Sequence, residues 1–221
     1  MTPKFNNMVR DTIGGTLTRY PALEPCRTDI EEAVGLLISA YASNHKVLTV
    51  GNGGSSADAD HIVGELMKSF NRPRPLAAGL SQRLENSDID PPLKNRLIAG
   101  LEQPLPAVNL TTHTALTTAF SNDADPALVY SQLLLGFAQP GDVLIALSTS
   151  GNSDNIVAAA AFAAVLDVKV ISLTGTDGGR LAALADAPIR APSNDTAEAQ
   201  EYHLPIYHCL CAAVEAHFFG G

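Results

Sequence analysis

Short runs of uninterrupted apolar residues alternate along this chain with longer stretches in which apolar positions recur every three or four residues. That alternation predicts strands separated by helices. The strand-like runs are 47–50, 107–110, 142–147, 169–173 and 187–191. Between them, Phe5, Met8, Val9, Ile13 and Leu17 outline an amphipathic, weakly capped helix over 1–20, with Gly14-Gly15 weakening its middle. Ile30, Ala33, Val34, Leu37, Ile38 and Tyr41 outline a second helix behind Thr28-Asp29-Ile30-Glu31, which has capping-box spacing. Residues 126–137 and the Ala-rich 155–166 are also helical in pattern. A last helix runs from about 196 to 218; Pro205 gives no N–H to the carbonyl of Glu201 and is expected to bend or break it. Together these elements predict an α/β fold: a doubly wound, mainly five-stranded parallel sheet flanked by helices, with ligands bound at the carboxyl ends of the strands.

Between 71 and 106 the texture changes. Pro73, Pro75, Pro91, Pro92, Pro104 and Pro106 bracket two segments of helical period, 76–84 and 93–101. We read a helical insertion or lid over about 75–105, within a single domain spanning 1–221 that opens with N-terminal helices over 1–45. The first of those helices is suited to packing on a neighbouring subunit.

With 221 residues and 46% hydrophobic content, the chain can bury one substantial core. A formal net charge of −9 argues against a nucleic-acid or anionic-membrane surface, so no membrane and no direct nucleic-acid partner is expected. No apolar run approaches the roughly 20 residues that span a bilayer, and MTPKFNNMVRD lacks the apolar core of a signal peptide. A cytoplasmic protein is expected. Cys26, Cys209 and Cys211 are odd in number and lack zinc-ribbon spacing, which predicts reduced thiols.

The first strand meets Gly51-Asn52-Gly53-Gly54-Ser55-Ser56 and then a helix carrying His61 and Glu65. Glycines let a backbone approach an anion closely, and free N–H groups of a helix's first turn point at it. No third glycine or acidic strand end supports a dinucleotide fingerprint, and no Gly-Lys-Ser/Thr supports a P-loop. The third strand ends in Ser148-Thr149-Ser150-Gly151-Asn152-Ser153, enough hydroxyls and amides to surround a phosphate without a cation. Read singly, each loop also serves as a plain turn or helix cap. His61 and Glu65 share a helix face at i and i+4, where they can meet one divalent ion or simply each other. Gln200, Glu201, His203, Tyr207 and His208 form a second polar cluster in the apolar last helix.

These residues carry a family resemblance. Val50-Gly51-Asn52-Gly53-Gly54-Ser55, His61 with Glu65, Asn122-Asp123, Gly141-Asp142-Val143-Leu144, Ser148 to Ser153, Leu173-Thr174-Gly175, Asp177-Gly178-Gly179, and Gln200-Glu201 with His203 and His208 resemble the phosphoheptose isomerases of the sugar-isomerase (SIS) fold. The resemblance implies a metal-dependent aldose–ketose isomerase converting sedoheptulose 7-phosphate to D-glycero-D-manno-heptose 7-phosphate, or a close relative, by enediol proton transfer. It implies Glu65 and His208 as the acid/base pair. Asn52, Gly53, Gly54, Ser55, Asn122, Asp123, Ser148, Thr149, Ser150, Ser153 and Gln200 would bind substrate. His61, Glu65, Gln200 and His208 would hold one divalent ion per subunit, zinc, in a homotetramer with sites at subunit interfaces. His113, Ser69, Glu198, Pro205 and the insertion depart from the family pattern. The alternative is a non-catalytic SIS protein that binds a sugar phosphate or the replication initiator DnaA; such relatives typically lack the carboxylate and imidazole that Glu65 and His208 supply here.

Overall fold

The computed structural model describes residues 5–220, and residues 1–4 of the expected first helix lie outside them. Its centre is a sheet of β1 (Val47–Gly51), β2 (Ala107–Asn109), β3 (Val143–Leu147), β4 (Lys169–Thr174) and β5 (Ala187–Arg190). All neighbours are parallel and the spatial order is β2-β1-β3-β4-β5. Every residue of β1 and β3 is buried, as a sheet covered on both faces requires. Alternate side chains serve two cores: Val143, Ile145 and Leu147 face one cluster, while Leu144 and Ala146 face the other. The strand order reverses between β1 and β3, so a crevice opens beyond their carboxyl ends.

The first core packs α1 (Asn7–Arg19), α2 (Arg27–Ala42), α3 (Gly54–Met67) and α10 (Thr196–Phe219) against the sheet. Three expectations about this layer change. The first helix is capped, because the Asn6 side chain accepts from Val9 N at 2.9 Å. Its apolar face (Val9, Ile13, Leu17) is spent on this chain's own core. The Thr28–Glu31 capping box goes unused: a 3₁₀ turn, Pro21–Cys26, leads straight into α2, and Arg27 N already bonds Glu24 O. Pro205 does not break α10, which runs for 24 residues through it, with Ala199 and His203 buried ahead of it and Ile206, Leu210 and Val214 buried after it. All three cysteines are free and buried.

The second core packs α7 (Val129–Phe137) and α8 (Asp154–Val165) on the other sheet face, with the short α9 (Gly179–Ala182) beside them. Ahead of α7 lies a 3₁₀ turn, Pro126–Leu128, where a continuous helix was expected. A helix that the periodicity did not predict, α6 (Thr114–Asp123), buries none of its residues, so it leaves no apolar stripe to read. The insertion is a helical hairpin of α4 (Ala78–Glu85) and α5 (Pro91–Gly100), neither of which buries a residue. Its base is closed by a bridge between Pro75 and Glu102 and by Ser69, whose N and Oγ donate to the Glu102 carboxylate at 2.7 and 2.6 Å. Among the described residues no helix is long and apolar enough to cross a membrane.

Candidate functional site

The crevice beyond β1 and β3 holds a cavity of about 320 Å³ lined by Asn52, Gly53, Gly54, Ser55, Leu147, Ser148, Thr149, Ser153, Thr196 and Gln200. Both flanking helices begin here without a side-chain cap: α3 behind Gly53 and α8 behind Ser153. The amides of Gly54 and Ser55 and of Asp154 and Asn155 are therefore available to an anion, while those of Ser56 and Ile156 already donate within their own turns. A third helix start, α10, contributes Thr196 and Gln200, but Asp195 already caps it by accepting from Ala197 N and Glu198 N. Ser148 Oγ and Ser153 Oγ lie 3.2 Å apart across the loop. No Lys or Arg stands in the lining. Two glycines are needed for contact. A Cβ on Gly54 would come within 2.7 Å of Gln200 Nε2, and one on Gly151, at φ +64°, within 2.1 Å of the Gly178 carbonyl.

Further along the contact between α3 and α10 lies a second group. His61 Nε2 is 3.1 Å from Glu65 Oε1, and the His61 and His208 rings are 5.0 Å apart and near perpendicular. Tyr207 OH reaches His61 Nδ1 at 3.0 Å and Asp58 Oδ1 at 3.2 Å. Burial, helped by the charge of neighbouring His61, holds the His208 imidazole below its ordinary pKa, against the pull of Glu65. His208 Nε2 is buried without a hydrogen-bond partner among the described residues. Burial pushes the Asp58 carboxyl up, opposed by the Tyr207 hydrogen bond, and burial with Asp58 pushes the Tyr207 phenol up.

The last turn of α3 is pinned from behind this group. Arg74 and Glu215, both with fully buried side chains, pair at 2.7 Å. Glu215 also accepts from Phe70 N and Asn71 N at 2.8 and 2.7 Å. Arg74 donates onward to the carbonyls of Leu66 and Glu65 at 2.6 and 3.1 Å, tying off the last turn of α3, where Glu65 sits.

The expected residues thus divide. Gly53, Gly54, Ser55, Ser148, Thr149 and Ser153 meet in the cavity. Asn52 joins them, with its amide engaged by Asn155 and Tyr130. Ser150 is not in the lining; its Oγ accepts from Asn152 N. Asn122 and Asp123 bond each other on the exposed end of α6, outside the cavity. Gln200 sits with the cavity, eight residues or roughly 12 Å of helix from His208. Among the described residues no three of His, Cys, Asp and Glu converge as a ready metal cage. His203 leaves the polar cluster for the core, its Nε2 3.2 Å from the Thr174 carbonyl. His113 precedes α6 with its ring 4.8 Å from that of Phe137. Sequence reasoning missed Asp58 and Thr196. Asp58 had a signal, since it lies three residues before His61 on one helix face.

Comparison with known proteins bears on the family and the fold. Residues 97–175 match the SIS domain family. The phosphoheptose isomerase of Shewanella loihica is 36% identical over 205 residues, covering 91% of this chain and 90% of that protein. The structure of phosphoheptose isomerase GmhA from Neisseria gonorrhoeae superposes with a TM-score of 0.70 at 30% identity, over 94% of this chain and 97% of that one. A phosphoheptose isomerase from Francisella tularensis gives a TM-score of 0.69 at 29% identity, covering 93% of each.

Proposed function

The chain belongs to the phosphoheptose isomerase family and is a sugar-phosphate isomerase, and we propose that it interconverts sedoheptulose 7-phosphate and D-glycero-D-manno-heptose 7-phosphate, or a close relative, through an enediol. One observation carries the reading. Two uncapped helix starts face a hydroxyl-lined cavity, and the Glu65–His61–His208 group lies further along the same α3–α10 contact. The cavity would take the phosphate and the group the carbonyl end. The separation suits a long sugar chain rather than a triose. Having both Glu65 and His208 in place favours the enzyme over a non-catalytic sugar-phosphate or DnaA-binding role.

Glu65 Oε1 is engaged with His61, while Oε2 has only a 3.4 Å contact to Lys68 Nζ among the described residues. Oε2 is the oxygen we assign to proton transfer: it takes the proton from C1 of the ketose and returns one to C2. His208, whose neutral form burial favours, moves the other proton: it takes the proton from O1 and, as the imidazolium, gives it to O2. The residues fit a divalent ion, zinc, as a cofactor. His61 Nε2 and Glu65 Oε1, 3.1 Å apart, would be two of its donors, and the orphaned His208 Nε2 would be a third once His208 closes on them, since the three do not already converge. Such an ion, when bound, stabilises negative charge on the two sugar oxygens. Gln200 would join them only through an approach from its place at the cavity. A cytoplasmic homotetramer, with sites at subunit interfaces, completes the proposal.

The test is solvent exchange. With sedoheptulose 7-phosphate in heavy water, the wild type should incorporate deuterium as it turns over, and lose both activities on chelation until Zn²⁺ is restored. Glu65→Gln should slow exchange by roughly 10²–10⁴-fold while still binding phosphate. Exchange at the wild-type rate in Glu65→Gln would remove Glu65 from the chemistry.

A further inference from the structure

The Tyr207 hydroxyl is buried between two groups that both want its hydrogen-bonding capacity. It lies 3.2 Å from Asp58 Oδ1 and 3.0 Å from His61 Nδ1, and Tyr207 is 1% exposed. A phenol has one proton to give. Asp58, as a carboxylate, can only accept, so the phenolic proton goes to it. Toward His61 the phenolic oxygen is then left as an acceptor, and Nδ1 must carry the hydrogen. We propose that Tyr207, oriented by Asp58, is a positioning residue that holds His61 as the Nδ1–H tautomer and so presents a bare Nε2 to Glu65. This inference rests on the reading of His61 and Glu65 as members of the reaction site.

The consequence falls on the 3.1 Å contact between His61 Nε2 and Glu65 Oε1. With the neutral ring fixed in that tautomer, a nitrogen lone pair faces a carboxylate oxygen and nothing lies between them to bind both. The pair is held together only by a cation, either a proton or a divalent ion. An imidazole free to choose would instead place its hydrogen on Nε2 and satisfy Glu65 by itself, masking both donors. Tyr207 and Asp58 therefore keep the pair open. A ring is also needed at this place for packing: Tyr207 meets His61 edge-on at 5.4 Å and His208 at 5.1 Å. An aliphatic residue would fill the same volume and leave Nδ1 unpaired.

The tautomer is measurable without turnover, from ¹⁵N shifts of histidine-labelled, metal-free protein at about pH 9, well above the ordinary imidazole value of roughly 6.5. Wild type should show His61 protonated on Nδ1. Tyr207→Phe keeps the ring and removes the acceptor, and should give a mixed or Nε2–H tautomer. Asp58→Ala keeps the hydroxyl but frees its proton to donate to Nδ1, and should invert the tautomer to Nε2–H. Zn²⁺ affinity, read by chelator competition, should fall about 10–100-fold in Tyr207→Phe. Wild-type protein with its hydrogen on Nε2, or both variants keeping the wild-type tautomer, would overturn the proposal. If the tautomer shifts as stated but wild type does not bind Zn²⁺, the metal reading fails and the positioning role stands.

Discussion

Replacing Glu215 with Ala should both destabilise the protein and blunt catalysis, although residue 215 touches neither the cavity nor the histidines. The side chain is fully buried and carries three hydrogen bonds, from Phe70 N, Asn71 N and Arg74 Nε. Its loss strands a guanidinium whose own side chain is also fully buried. Removing one partner of such a pair costs about 3–5 kcal/mol, because the remaining charge has neither water nor a counter-ion. For a chain of this length each kcal/mol moves the melting temperature by about 2–4 °C, so the expected drop is roughly 6–20 °C. Arg74 also holds the Glu65 and Leu66 carbonyls, so its displacement loosens the last turn of α3 and should lower kcat as well. Arg74→Met combined with Glu215→Leu should recover part of the stability, since no lone charge then remains; the Phe70 and Asn71 amides stay unpaired and keep the recovery incomplete. Scanning calorimetry of the three proteins decides. A melting temperature within about 3 °C of wild type for Glu215→Ala would refute this account of the pair.

Two further outcomes follow from local geometry. Gly54→Ala pushes a methyl group against the end of the Gln200 side chain, which can swing away, so stability should change little while phosphate affinity by calorimetry weakens about 2–10-fold, the worth of one hydrogen bond; unchanged affinity would remove Gln200 from phosphate binding. Burial holds His203 below its ordinary pKa, against the hydrogen bond to Thr174, so below about pH 6.5 the unfolded chain takes up a proton that the folded one refuses. Stability should therefore fall as pH drops from about 6.5 toward the lowered folded value, and His203→Gln should flatten that part of the profile; an unchanged slope would assign it elsewhere.

The sheet and both loops at its carboxyl edge were legible because their signals are local: β-like runs stop at glycines and hydroxyls, and a helical period begins. Pairing α3 with α10 was not, since nothing near His61 records what lies beside it. Within α10 the polar residues spread around the axis, and at roughly 100° per residue His203 stands about 140° from His208. Only packing decides that the first faces the sheet and the second faces α3. The helix also survives Pro205, where local propensity predicts a break, because packing holds it on both sides, through Ala199 and His203 before the proline and Ile206, Cys209 and Leu210 after it. Arg74 and Glu215 lie far apart in the chain and in sequence look like ordinary surface charges. Asn122 and Asp123 show the converse: a matching dipeptide whose place in this chain is the exposed end of a helix.

The cavity proposed to take the phosphate has no Lys or Arg in its lining, in a chain whose net charge is −9. Fixed dipoles at helix starts act over a turn or so and are felt only on arrival, whereas net charge acts across a Debye length of about 8–10 Å. A phosphorylated sugar thus diffuses toward this protein against a mild repulsion and is held once it is inside. Discrimination is displaced from encounter to residence, so ionic strength should favour capture here, the reverse of its effect on enzymes that draw in anions with surface lysines.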